Sequence, residues 1–92
     1  MIVRILGDNQ FDVGDGEVDG LYALDNDLQR AVEGGDEAAF RTAMTALLTK
    51  VRSVGTKLPD DALTPSDALL PPEDADLSEV AEMLQEEGLI PG

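Results

Sequence analysis

Apolar residues change their spacing along this chain, and each change marks an element. Ile2 to Leu6 is β-branched or aliphatic apart from Arg4, which predicts a strand beginning almost at the first residue. Gly7-Asp8-Asn9 is turn chemistry. Gln10-Phe11-Asp12-Val13 then alternates polar and apolar, the period of a half-buried strand. Two strands joined by so short a turn form a hairpin, with Phe11 and Val13 sharing a face with Val3 and Ile5. Gly14-Asp15-Gly16 breaks the pattern, and Asp15 is suited to cap a helix. Val18, Leu21, Leu24, Leu28 and Ala31 or Val32 follow at spacings of three and four, one apolar stripe of an amphipathic helix. Gly20 inside that stripe costs up to about 1 kcal/mol relative to Ala, so it points to a late helix start or a close contact. Gly34-Gly35 ends the helix.

Asp36 is the next N-cap candidate, with Glu37 favourable in the first turn. Phe40, Met44, Leu47, Val51 and Val54 form a second stripe, which Gly55 terminates. The two helices form an antiparallel hairpin. Thr56 to Pro72 carries Pro59, Pro65, Pro71 and Pro72 and reads as an extended connection. Within it, Ala68-Leu69-Leu70 is a short candidate strand, placed at a sheet edge by its flanking prolines. Asp76-Leu77-Ser78-Glu79 is a capping box, and Val80, Met83 and Leu84 face the core from a short helix that runs to Gly88. Leu89-Ile90-Pro91-Gly92 is an apolar tail. The expected architecture is α+β: an N-terminal β-hairpin, an antiparallel helical hairpin, a short third strand and a C-terminal helix. The small sheet carries its helices on one face, in a single domain over residues 1–92.

Composition narrows what such a domain can do. There is no His, no Cys and no Trp. Triad and thiol catalysis, imidazole or thiolate metal sites and haem ligation lack their residues. No side chain titrates near neutrality unperturbed. Six basic residues face twenty acids, a formal charge of −14, and the imbalance is uneven. From Leu58 to Gly92 there are ten acids and no Lys or Arg. Nucleic-acid binding and direct adhesion to an anionic membrane are both disfavoured, because each needs basic clusters. A basic protein surface is the natural counterpart. No stretch approaches the roughly 20 apolar residues of a spanning helix, so no direct membrane insertion is expected.

Candidate chemistry is sparse. Gly14 to Gly20 follows a strand and opens a helix, but its G-x-G-x-x-x-G spacing departs from a dinucleotide fingerprint and the strands form a hairpin. Asp15-x-Glu17-x-Asp19-Gly20 imitates the start of a calcium loop. Its twelfth position is Asn26, where a bidentate Glu is needed. A turn and helix cap explains both. No cofactor and no metal site is expected, and the chain reads as non-enzymatic. Glu79, Glu82 and Glu86 lie on adjacent turns of the last helix, as a solvated acidic face or a docking surface for a basic partner. Leu69, Leu70, Leu89 and Ile90 flank prolines in segments that bury little alone. They either close the core or form a contact patch.

Taken whole, the sequence resembles the PspAA family, small PspA-associated proteins of actinobacterial and archaeal phage-shock systems. The likeness runs through Met1-Ile2-Val3-Arg4-Ile5-Leu6-Gly7, the strand Gln10-Phe11-Asp12-Val13 and the phrase from Glu33 to Arg41. It is strongest in Leu58-Pro59-Asp60-Asp61-x-Leu63-x-Pro65-Ser66-Asp67 with Leu70-Pro71-Pro72, and it continues from Glu86 to Gly92. None of these phrases is a catalytic motif. The resemblance implies an accessory or regulatory role in envelope stress, beside a PspA-like coiled-coil protein. It implies a cytoplasmic protein that its partner can recruit to the inner face of the cell membrane. Two rival readings accompany it. One is an acidic antidote-like or nucleic-acid-mimicking module for another basic protein. The other is weak homodimerisation through the hairpin or the proline-flanked strand.

Overall fold

The computed structural model describes residues 1–61, 64–84, 89 and 90. Its sequence order is β1 (Ile2–Ile5), β2 (Gln10–Asp12), α1 (Asp15–Gly34), α2 (Glu37–Val54), β3 (Thr56–Lys57), β4 (Ala68–Leu70) and α3 (Leu77–Met83). The class is α+β, as the pattern predicts. The sheet is four-stranded and mixed, in the spatial order β3-β2-β1-β4. β1 and β2 form the expected antiparallel hairpin with Val3 opposite Phe11. β4 lies at the sheet edge, parallel to β1, with Arg4 opposite Leu69. The predicted third strand is thus the fourth. The extra strand, β3, falls at the start of the expected extended connection. It is two residues long and pairs with β2, Phe11 opposite Lys57, too short to leave a periodic signal.

Strand alternation sends Val3, Ile5, Phe11, Ala68 and Leu70 to one face, where they join the helices in a single core. Leu21, Leu28 and Ala31 of α1 and Phe40, Ala43, Met44, Leu47, Leu48 and Val51 of α2 supply most of the rest. α1 starts earlier than Gly20 suggests. Gly14 occupies its N-cap position with no side-chain cap bond, and Asp15 is already helical. Gly20 does not mark a late start, and a Cβ there would meet the Lys50 side chain of α2 at 3.6 Å, an ordinary van der Waals distance, so no close contact requires the glycine.

Gly35 is left-handed at φ 66° and closes α1. Its N–H donates to Val32 O and that of Asp36 to Ala31 O, the paired bonds of a Schellman cap. The Asp36 carboxylate then accepts from Ala39 N at 3.0 Å and starts α2. Gly55 ends α2 for a steric reason. A Cβ there would lie 2.6 Å from Val51 O and 2.8 Å from Phe11 Cβ, so no side chain fits where the helix turns against β2. Asp76 caps α3, accepting from Glu79 N at 2.8 Å. The expected end of α3 at Gly88 lies outside the described residues, as do Pro91 and Gly92 of the tail.

β3 and β4 occupy opposite edges of the sheet, so the chain between them crosses it. Gln10 lies in the same row as Arg4 and Leu69, on the face away from the core. Its side-chain amide donates to Thr64 O at 2.7 Å and to Ser66 Oγ at 2.8 Å. The crossover therefore lies over the β2 side of the outer face, and Gln10 is only 5% exposed beneath it.

Candidate functional site

The candidate surface begins with where the charges go. Arg52 of α2 bonds Asp8 of the hairpin turn at 3.1 Å and Glu73 at 2.9 Å. The hydrogen bond to Glu73 is the main cause that raises the pKa of its guanidinium above the ordinary value. Burial opposes this and Asp8 adds to it. Arg41, its guanidinium over the Phe40 ring, donates to Glu73 O at 2.8 Å and Ala75 O at 2.9 Å. Lys50 pairs with Glu17 at 3.7 Å, and Arg30 with Asp27 at 3.8 Å. Four of the six basic residues thus engage groups of this same chain. These ion pairs cancel acid and base alike, so the formal excess of −14 remains for the rest of the surface.

α3 presents Glu79 and Glu82 to solvent on successive turns. Glu86 lies outside the described residues. At the head of α3, the Asp76 carboxyl is held below its ordinary value. The cause is first the Glu79 N–H it accepts, then the Ser78 hydroxyl. The carboxylates of the calcium-like stretch, Asp15, Glu17 and Asp19, are exposed on the first turns of α1. Among the described residues, no three acids come together as a cation site needs.

The four apolar candidates separate. Leu69 is 49% exposed, whereas Leu70 and Ile90 are fully buried and Leu89 nearly so. Leu70, Leu89 and Ile90 are therefore core residues and cannot serve as a contact patch in this fold. For Leu70 the reason is strand alternation, which turns it inward and Leu69 outward. For the tail it is a polar clasp. Asp25 of α1 is 2% exposed, and its carboxylate accepts from Leu89 N at 3.1 Å and Ile90 N at 3.0 Å. The two bonds satisfy a buried acceptor and hold both apolar side chains in the core.

Three residues that periodicity passes over matter here. Asp25 occupies the slot between Leu21 and Leu28, four residues after one and three before the other. A carboxylate in that slot is the signal in the sequence that points to the clasp. Gln10 gives no such signal, being an ordinary polar residue of an alternating strand. Leu6, 37% exposed, follows Arg4 by two and its N–H donates to Leu70 O at 2.9 Å. It therefore lies at the end of the β1–β4 pair, one row past Arg4 and Leu69. Next to it a shallow recess of about 250 Å³ is lined by Arg4, Asp8, Asn9, Gln10, Pro59 and Asp60.

No helix among the described residues is long and apolar enough to cross a membrane. The family model PspAA, described as PspA-Associated protein, matches residues 1–92. No curated protein and no solved structure matches the chain.

Proposed function

The chain belongs to the PspAA family of PspA-associated proteins, and from that premise we propose that it is a non-enzymatic accessory of the phage-shock response. It acts by binding a PspA-like coiled-coil protein through an acidic surface. The observation that carries this reading is the disposition of charge. Arg30, Arg41, Lys50 and Arg52 are spent on contacts within the chain, while the ten acids that follow Lys57 have no basic residue among them in sequence. Such a surface repels polyanions and attracts a basic helix over a range of about 10 Å at ordinary ionic strength. The lack of His and Cys supports a role without catalysis of its own. The protein works in the cytoplasm and reaches the inner face of the membrane through its partner, since its own charge opposes adhesion to anionic lipid.

Capture of the same organism's PspA protein on the immobilised chain tests the reading. Retention at about 50 mM salt and release at about 500 mM salt is the expected result. Failure to retain PspA at the lower salt overturns it.

A further inference from the structure

We propose that the open half of the outer sheet face, centred on Leu6 and Leu69, is the docking site for a basic amphipathic helix. This deepens the reading above and rests on it. The outer face has two unlike halves. Over β2 the crossover is bonded to Gln10 through Thr64 and Ser66, and Gln10 is buried. Over β1 and β4, Leu69 and Leu6 are the two large hydrophobic residues that remain exposed among the described residues. Leu69 stands opposite Arg4 and Leu6 lies just past β1, two residues after Arg4, so the register sets the two diagonally across the β1–β4 pair.

What surrounds the pair selects the occupant. Asp67 precedes Leu69 by two residues, Asp8 follows Leu6 by two, Asp60 lines the adjoining recess, and Glu73 and Asp74 follow β4. Asp8 and Glu73 share Arg52 and Asp67 accepts from Ile2 N, so five carboxylates stand against Arg4 and Arg52 and the rim stays net acidic. Arg4 is the cation of the row. A helix that sets an aliphatic i, i+3 or i+4 pair on Leu6 and Leu69, with Lys or Arg on its flanks, satisfies this apolar centre and acidic rim together. An acid on that helix meets Arg4 and sets its register. A second copy of this chain is disfavoured, because two rims of the same sign would be brought face to face. An added strand is disfavoured too. β4 offers three residues of edge, and Pro71-Pro72 follow at once.

The test is calorimetric titration of the same organism's PspA protein into the full chain at low salt. The variants are Leu69→Lys, Leu6→Gln and, as a remote acidic control on α1, Asp19→Asn. Thermal unfolding of each variant checks that it folds. Leu6 and Leu69 are both exposed, so both substitutions leave the core intact. The expected result is at least a tenfold rise in Kd for Leu69→Lys, a smaller rise for Leu6→Gln, and less than about a threefold change for Asp19→Asn. Wild-type binding that neither leucine variant weakens overturns this docking face and leaves the association with PspA standing. No binding by the wild type overturns both. A concentration-dependent dimer in light scattering that Leu69→Lys abolishes assigns the face to self-association and overturns the helix.

Discussion

The part of the chain up to Lys57 and the part after it are held together by different physics. The first is built from apolar stripes on two long helices and alternating residues on a hairpin. Its elements meet their sequence neighbours, and burial of Leu, Val, Ile, Met and Phe side chains stabilises it directly. The second has one three-residue strand and one seven-residue helix. It adds Ala68, Leu70, Ala75, Val80, Leu89 and Ile90 to the common core, and it is also fastened by polar side chains that reach between the two parts and close on backbone groups. Asp25 holds Leu89 and Ile90, Arg41 holds Glu73 and Ala75, and Gln10 holds Thr64. Asp67 does the same in reverse, accepting from Ile2 N at 2.8 Å. A segment poor in periodic apolar residues can thus be placed as definitely as a helix, provided the groups that fix it lie on regular elements.

Three experiments sharpen or break this contrast. The largest effect is expected for Phe40→Ala, which removes a buried ring from the framework. It should cost about 3–5 kcal/mol in denaturant unfolding and lower the protection of both parts together in hydrogen exchange. Survival of a protected second part would show that it does not depend on the framework. Asp25→Ala should cost about 2–3 kcal/mol, because two buried N–H groups lose their acceptor. Its signature is selective: Leu89 and Ile90 amides exchange quickly while those of α2 stay protected. Uniform loss of protection would mean that the clasp belongs to the framework after all. The smallest effect concerns α3. The Asp76 carboxyl has a lowered pKa in the folded state, so its cap contributes fully above the ordinary value of 3.8 and is lost as pH falls through the lowered one. Acid titration should therefore fray α3 from Leu77. Amide shifts for Leu77 to Val80 that do not move between about pH 5 and about pH 2 would contradict it.

The same contrast decides how much is legible beforehand. The hairpin, both long helices, the caps at Asp36 and Asp76 and the edge position of Ala68–Leu70 follow from local spacing, because their causes are local. The cap of α1 lies one position before the expected Asp15, since Gly14 carries the extended conformation that precedes the helix. The parallel pairing of β4 with β1 is not legible. It depends on a crossover bonded to Gln10, and a glutamine in an alternating strand gives no hint of which face will be covered. The tail shows the limit most clearly. Leu89 and Ile90 look like candidates for an exposed patch until the Asp25 oxygens are seen to face their N–H groups from inside the core. The candidate docking residues are legible only as residue types. Glu79 and Glu82 stand outward as expected, and of the four leucine and isoleucine candidates only Leu69 does.

The clasp also imposes an order in time. Asp25 and its two donors are 64 and 65 residues apart. A chain under synthesis completes α1 and α2 long before Leu89 exists. During that interval the Asp25 carboxylate is hydrated and the part of α1 around Leu21 and Leu28 lacks its final covering. Closing so long a loop comes late, after local helix contacts have formed. Until Leu89 and Ile90 arrive, the Asp25 carboxylate and the apolar residues beside it on α1 therefore lack these partners.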